Sequence, residues 1–304
     1  MKNILESLEK NKFDYDEILS KSYVNISPRE EILDMNVIIG VRGRAEFILP
    51  LLDSIHAAEN YYNEKNKGKE KTFTVTIVEH SVAPEHKNML DGIEDYLWTP
   101  GNIVDQYSRS FAYNFGVKYS TKAKHYILHD VDILVKENFF EEVYENLKDN
   151  KCMQTYGGRR VLYMSQELTP QVLNKSVNIN TLNQNSQGVS LPMFNGQPAL
   201  GSKGGSILVE REFYYELGGF DPELFWGYAA EDQIFWDKAI TLLGEVSYAD
   251  NPPIDIFHMW HPPTHATNPL LYEMEEYMLQ FRNMKKKERM NFLNLKKELF
   301  KDGK

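Results

Sequence analysis

The 304-residue chain holds a single cysteine, Cys152, so no internal disulfide framework exists. A lone thiol of this kind points to a reducing compartment, where it behaves as a small apolar group. No apolar run approaches the ~20 residues that cross a bilayer, and the opening stretch "MKNILESLEKNKFDYDEILS" carries too many charges for a secretory signal. Positive charge is also scarce. Against 44 acidic residues stand 34 Lys and Arg, a net of -10, which argues against a broad nucleic-acid-binding face and leaves only local phosphate recognition. The composition, 42% hydrophobic, supplies a sizeable core and suits one large domain with appendages.

Residues 1–34 alternate charged and apolar positions and predict a helical extension. From residue 35 the order is strand, loop, helix in "MNVIIGVRGRAEFILPLLDSI", a second strand in "FTVTIVEH", a helix around "SRSFAYNFGVKYS" and a third strand in "YILHDVDILV". Strands alternating with helices predict an α/β fold with a mostly parallel sheet flanked by helices. The stretch 174–203 is rich in Asn, Gln, Ser and Gly and reads as a long mobile loop or lid. The end of the chain, 269–304, has Met, Phe and Leu at helical spacing among many lysines. Such a helix either packs its apolar stripe on its own domain or meets an anionic membrane surface or a partner.

Ligands of open α/β sheets sit outside the carboxyl ends of the strands. Three such ends carry polar groups: Arg42 with Arg44, Glu79 with His80, and Asp130 with Asp132. Strand alternation would aim Asp130 and Asp132 to one side and Val131 to the other. A convergent carboxylate pair suits Mg2+ or Mn2+ shared with substrate phosphates, although Asp-x-Asp alone also reads as a solvated turn. In "IDIFHMWHPP", His258 and His261 are candidate ligands or ordinary structural histidines, and imidazole added to carboxylate favours Mn2+. Glu231 and Asp232 begin an apolar-striped helix after "ELFWGYAA". The helix dipole would keep them ionised, either as simple caps or with one serving as a general base. The rings of Phe225, Trp226 and Tyr228 beside them read as core or as sugar platforms.

Taken together, these motifs resemble the glycosyltransferase A fold, and within it the beta-1,4-galactosyltransferase and chondroitin-polymerase-like group, over roughly residues 35 to 265. "VIIGVRGR" is similar to that group's Ile-Ile-Pro-Phe-Arg-Asn-Arg segment, and "YSRSFAYNFGV" to its Phe-Asn-Arg-Ala segment. Asp130-Val131-Asp132 is identical to its Asp-Val-Asp, "GGSILV" looks like its Gly-Gly strand, and "WGYAAEDQ" looks like Trp-Gly-Trp-Gly-Gly-Glu-Asp-Asp. The resemblance implies a catalytic domain over 35–268, with a nucleotide-binding half (35–136) and an acceptor half (137–268). It implies donor binding by Arg42, Arg44, Glu79, Tyr107, Arg109, Asp130, Val131, Asp132 and Gly205, with Tyr107 and Arg109 toward the uracil and diphosphate. It further implies Mn2+, or Mg2+, on Asp130, Asp132, His258 and His261. Asp232 would be the base, Glu231 its neighbour on the sugar, and Trp226 and Tyr228 the acceptor platform.

The expected activity is metal-dependent transfer of a sugar from a nucleotide donor, a UDP-sugar, to a glycan or other hydroxyl acceptor with inversion. Two other readings compete: a metal-dependent nucleotidyltransferase or phosphohydrolase, which needs more clustered acids, and a non-catalytic carbohydrate-binding protein, which needs no grip on a diphosphate. Without the anchor and paired cysteines of animal Golgi members, the expected setting is the cytoplasm of a bacterial or viral system.

Overall fold

The computed structural model describes residues 3–92, 94–101, 107–147, 152–153, 159–194, 197–198, 203–227, 230–244, 254–262 and 268–301. Two short helices, α1 (Ile4–Lys10) and α2 (Tyr15–Ser20), are capped by the side chains of Asn3 and Asp14, which accept from the amides of Leu5 and Glu17. After them the extension adds what its periodicity did not predict, strand β1 (Tyr23–Asn25) on the sheet edge. Then follow β2 (Leu33–Val41), α3 (Ala45–Lys65), β3 (Phe73–Ser81), α4 (Lys87–Leu90), β4 (Asp95–Pro100), α5 (Arg109–Tyr119), β5 (Ala123–Asp130), β6 (Ile133–Val135) and α6 (Phe139–Leu147). The second half comprises β7 (Cys152–Met153), β8 (Arg159–Met164), α7 (Leu168–Leu173), β9 (Val189–Ser190), β10 (Met193–Phe194), β11 (Gln197–Pro198), β12 (Ser206–Glu210), α8 (Arg211–Leu217), α9 (Glu231–Leu243), β13 (Ile254–His258), α10 (Leu271–Asn283) and α11 (Lys286–Phe300).

The main sheet runs β1-β4-β3-β2-β5-β12-β7. Its centre, β4 through β5, is parallel, and β12 returns antiparallel beside β5. Alternation along β2 explains why both faces are covered: Met35, Val37, Ile39 and Val41 enter the core beneath α3, while Ile38 enters the other beneath α5. A smaller sheet, β6-β13-β8-β9, packs at the end of the first. The expected α/β fold with a mostly parallel central sheet is therefore what forms, with this second sheet in addition.

Of the 174–203 stretch expected to be a mobile loop, 195–196 and 199–202 lie outside the described residues, and the C-terminal stripe takes the first of its two readings, packing on its own domain. The stretch from 174 to 191 is an anchored segment. Leu182 is buried, Asn178 and Asn183 side chains accept from the amides of Asn180 and Asn185, and β9 pairs antiparallel with β8. Asn and Ser side chains here bond the local backbone and fix turns. The C-terminal helices spend their apolar stripes internally, burying Met274, Tyr277, Phe281, Phe292, Leu293 and Phe300. Among the described residues no helix is long and apolar enough to cross a membrane.

Even a lysine of that tail goes inside. Lys296 is fully buried and meets Glu223 at 2.7 Å and Asp221 at 3.6 Å, and buried Lys238 bonds Asp221 and the carbonyl of Gly219. Burial lowers Lys238 to about 8 and raises Glu223. This ionic group ties the loop after α8 to α9 and α11. Lys296→Met should lower stability by about 3–5 kcal/mol in denaturant unfolding, because it strands Glu223 without a counter-charge. A loss below about 1 kcal/mol would mean that the group is not closed to water.

Candidate active site

Strand β5 ends at Asp130, and the turn Val131–Asp132 carries the chain out of the main sheet and into β6 of the smaller one. Asp132 therefore sits at the junction of the sheets, no longer under strand alternation. β13 pairs with β6 at His258 and Ile133, and the amide of Met259 donates to the carbonyl of Asp132 at 2.8 Å. That ladder brings "HMWH" to the aspartate: Nε2 of His261 lies 3.2 Å and Nε2 of His258 3.8 Å from Asp132 Oδ2. One potential ligand atom from each of the three lies within 4.8 Å of the others. Tyr163 stacks on His258 with ring centres 4.6 Å apart, and buried His129 braces the turn through Ser206 Oγ and the carbonyl of Ile133.

Burial, with His261 adjacent, drives His258 down to about 4, and burial also lowers His261. Both imidazoles are neutral at pH 7 and keep the lone pairs that metal ligation requires. Nδ1 of His258 is buried without a hydrogen-bond partner. Two imidazoles and one carboxylate form a donor set suited to Mn2+ and related divalent ions, so the residues fit such a cation. Asp132 Oδ2 is also held by the guanidinium of Arg44.

The expected fourth ligand goes elsewhere. The carboxylate of Asp130 accepts from Arg109 at 2.7 and 3.0 Å and from the Tyr113 hydroxyl at 2.8 Å. The two aspartates thus diverge to different partners, because the alternation rule stops where the strand stops. Val131, expected at the donor, is buried, and its side chain packs in the core.

Beside the three-residue group lies a cluster of acids around one base. Arg109, at the start of α5, donates to Asp130, to Glu231 at 2.6 Å and to Asp232 at 2.6 Å. Three carboxylates around one guanidinium leave an excess of negative charge in a mostly buried place. Burial first, then the neighbouring acids, push Asp232 up to about 7 in spite of Arg109, and burial raises Glu231. The helix dipole was expected to keep both ionised, and they do open α9. Desolvation outweighs a surface-scale dipole effect of about 0.3–1 kcal/mol. Asp232 Oδ2 accepts from Arg109, while its Oδ1 and Glu231 Oε2 are buried without partners among the described residues.

Sequence reasoning passed over Gly204, Tyr113 and Tyr163. A Cβ on Gly204 would lie 2.1 Å from Asp232 Oδ2, so the glycine is what lets the backbone lie against that carboxylate. The signal was present in the Gly-Gly pair, of which the second member was selected. Gly205 has φ +86°, and its carbonyl accepts from the amide of Asp130 at 2.8 Å, a positioning contact. Gly204→Ala should displace Asp232 and cost on the order of 10²-fold in turnover with the fold intact by circular dichroism, the usual scale for a displacement of about 1 Å. Full activity would show that Asp232 has room to spare.

Arg42 and Arg44 follow β2 as expected, and burial, with Arg42 nearby, holds His80 down at about 3. The amide of Ser108 donates to Nδ1 of His80 at 3.3 Å. The Tyr107 hydroxyl is buried without a partner among the described residues and lies 2.4 Å from where a Cβ of Gly40 would stand, so glycine in β2 makes room for it. Glu79, expected at the donor, has its carboxylate engaged within the protein. Its oxygens already accept from Ser81 Oγ, the amides of Glu85 and His86, and the Tyr96 hydroxyl, which fills both and fixes the loop after β3. Trp226 packs between Phe13, at 5.9 Å, and His80, at 5.5 Å, and lines a cavity of about 360 Å³ with Glu223, Leu270 and Met274. Phe225 is core, and Tyr228 lies outside the described residues.

No protein-family model matches the sequence, and a search of the curated proteins finds no match. Among solved structures, the chain is similar to the catalytic domain of Drosophila beta1,4-galactosyltransferase 7 in complex with xylobiose, at 14% identity over 81% of this chain and 80% of that one, TM-score 0.48. It is similar to the Pyrobaculum calidifontis mannosyltransferase PcManGT in complex with GDP-Man and Mn2+, at 15% identity over 97% and 78%, TM-score 0.45. A third likeness is to residues 1–349 of S. aureus TarS, at 13% identity over 86% and 70%, TM-score 0.46. The first two are by name a galactosyltransferase and a mannosyltransferase, and the likeness to them is one of structure at low sequence identity.

Proposed function

We propose that the protein is a metal-dependent glycosyltransferase that moves a sugar from a nucleotide donor, a UDP-sugar, to an acceptor hydroxyl with inversion. The observation that carries this reading is the meeting, at one set of strand ends, of a cation-binding group (Asp132, His258, His261) and a carboxylate poised to take a proton near neutral pH (Asp232). The divalent cation held by the first group, Mn2+ in preference to Mg2+ because of the imidazoles, would supply Lewis-acid charge for the departing diphosphate.

The chain's own residues do the rest. Arg109 fixes Oδ2 of Asp232 and leaves Oδ1 to accept the acceptor's proton. The acceptor oxygen then bonds to the anomeric carbon, the bond from that carbon to the diphosphate breaks, and the electron pair leaves with the nucleotide. Arg42 and Arg44 lie on the loop where the diphosphate's charge would develop, and the unpartnered Tyr107 hydroxyl is a donor for the nucleotide. Arg109, expected on the diphosphate, serves in this reading to orient the base.

The test is a panel of nucleotide sugars with Mn2+, read by thermal stabilisation and by slow hydrolysis. Stabilisation and hydrolysis with one UDP-sugar is the expected result. Pyrophosphate release from a nucleoside triphosphate would favour nucleotidyl transfer instead, and glycan binding with indifference to UDP would favour a lectin.

A further inference from the structure

Asp132 Oδ2 is claimed three times. His261 and His258 approach it from β13 and the segment after it, and Arg44 Nη1 bonds it from the loop after β2. A divalent cation seated among the two imidazoles and that oxygen would stand beside the guanidinium, where like charges repel and compete for one acceptor. The guanidinium cannot be discharged, so the conflict is relieved only by movement.

The loop that carries Arg44 is built for such movement. Gly43 and Arg44 both have positive φ, 61° and 56°, and Arg44 is one of two non-glycine residues among those described to do so. Left-handed backbone costs an L-residue free energy, so this conformation persists only while something holds it. The holders are the Asp132 contact, the bond between His86 Nε2 and the Gly43 carbonyl, 3.0 Å, and the Arg44 carbonyl, which accepts from the amide of Phe47 at 3.0 Å as α3 begins. A Cβ on Gly43 would meet nothing within 4 Å, and Arg44 keeps 29% side-chain exposure, so the loop has free space beside it.

We infer that Arg44 is an internal rival of the divalent cation: it occupies Asp132 until a cation displaces it, and then turns to the anionic nucleotide, so that cation and nucleotide tighten each other's binding through this one side chain. The inference rests on the proposed function and adds to it the residue that couples the two ligands. Such coupling is reciprocal, because each ligand favours the same arrangement of the loop.

The test measures Mn2+ binding alone, Mn2+ binding with saturating UDP, and UDP binding with saturating Mn2+, by Mn2+ electron paramagnetic resonance and calorimetry on the full chain. In the parent protein UDP should tighten Mn2+. In Arg44→Ala, Mn2+ alone should bind about tenfold tighter, the scale of one released charge-assisted hydrogen bond, while UDP binds more weakly and its effect on Mn2+ shrinks by a similar factor. Opposite shifts for the two ligands are what a merely structural arginine would not produce. Arg44→Lys, which keeps the charge without the planar fork, should fall between. Should Arg44→Ala leave Mn2+ affinity unchanged or weaken it while UDP still tightens Mn2+, the rivalry is wrong and the transferase reading stands. Should neither protein bind Mn2+ with UDP present, both fall.

Discussion

Replacing Asp232 with asparagine should collapse sugar transfer by about 10²- to 10⁴-fold while leaving donor binding near its original strength. Asparagine keeps the shape and can still accept from Arg109, so the loss reports the proton acceptor alone. The same carboxylate predicts a pH signature. Since Asp232 is pushed up to about 7, transfer should rise about tenfold per pH unit below 7 and level off above it. Stability should run the other way. A carboxyl whose folded pKa lies above its unfolded value of ~3.9 stabilises the fold when protonated, and that contribution is lost as pH rises through about 7. At pH 8 the ionised group is a burden, and Asp232→Asn should raise Tm there by roughly 2–4 °C, with little difference near pH 4. Turnover like that of the parent would remove Asp232 from the mechanism, and a variant less stable at pH 8 would contradict the raised pKa.

Replacing Asp132 with asparagine should weaken Mn2+ binding by more than about 10²-fold and take transfer with it. Loss of partners behind a metal ligand already costs about 10- to 100-fold, and Asp132 is the single carboxylate of its group. His261→Ala and His258→Ala should follow the same direction, because the neutral imidazoles supply the remaining donors. His258 lies at the end of a ladder held by backbone hydrogen bonds, so its truncation should leave the fold in place. Chelation should abolish transfer and Mn2+ should restore it better than Mg2+. Undiminished Mn2+ affinity in Asp132→Asn would separate the cation from this group and dissolve the proposed site.

Much of this site was legible as one-dimensional pattern. The apolar run "NVIIGV" closed by Arg42, the Asp-Val-Asp at the end of β5 and the acids opening α9 follow from periods of two and 3.6, which are properties of a few adjacent residues. Less legible were Gly204 and Gly40. A glycine shows in the text, whereas the side chain that would collide with it, Asp232 or Tyr107, does not. Composition could not show that Asn and Ser side chains of the 174–191 stretch serve the local backbone, or that the charge of Lys296 is matched inside.

By itself the sequence determined the alternation of strands and helices, the polar groups at the strand ends and the scarcity of positive charge that argues against a broad anion-binding face. Tertiary structure alone decided that Asp130 turns to Arg109 while Asp132 turns to the histidines, since the two-residue turn between them passes from one sheet to the other. It also decided the protonation of Asp232. A helix dipole acts within one turn and can be read locally, whereas desolvation and the field of Arg109, Asp130 and Glu231 are sums over segments that meet only in the folded chain.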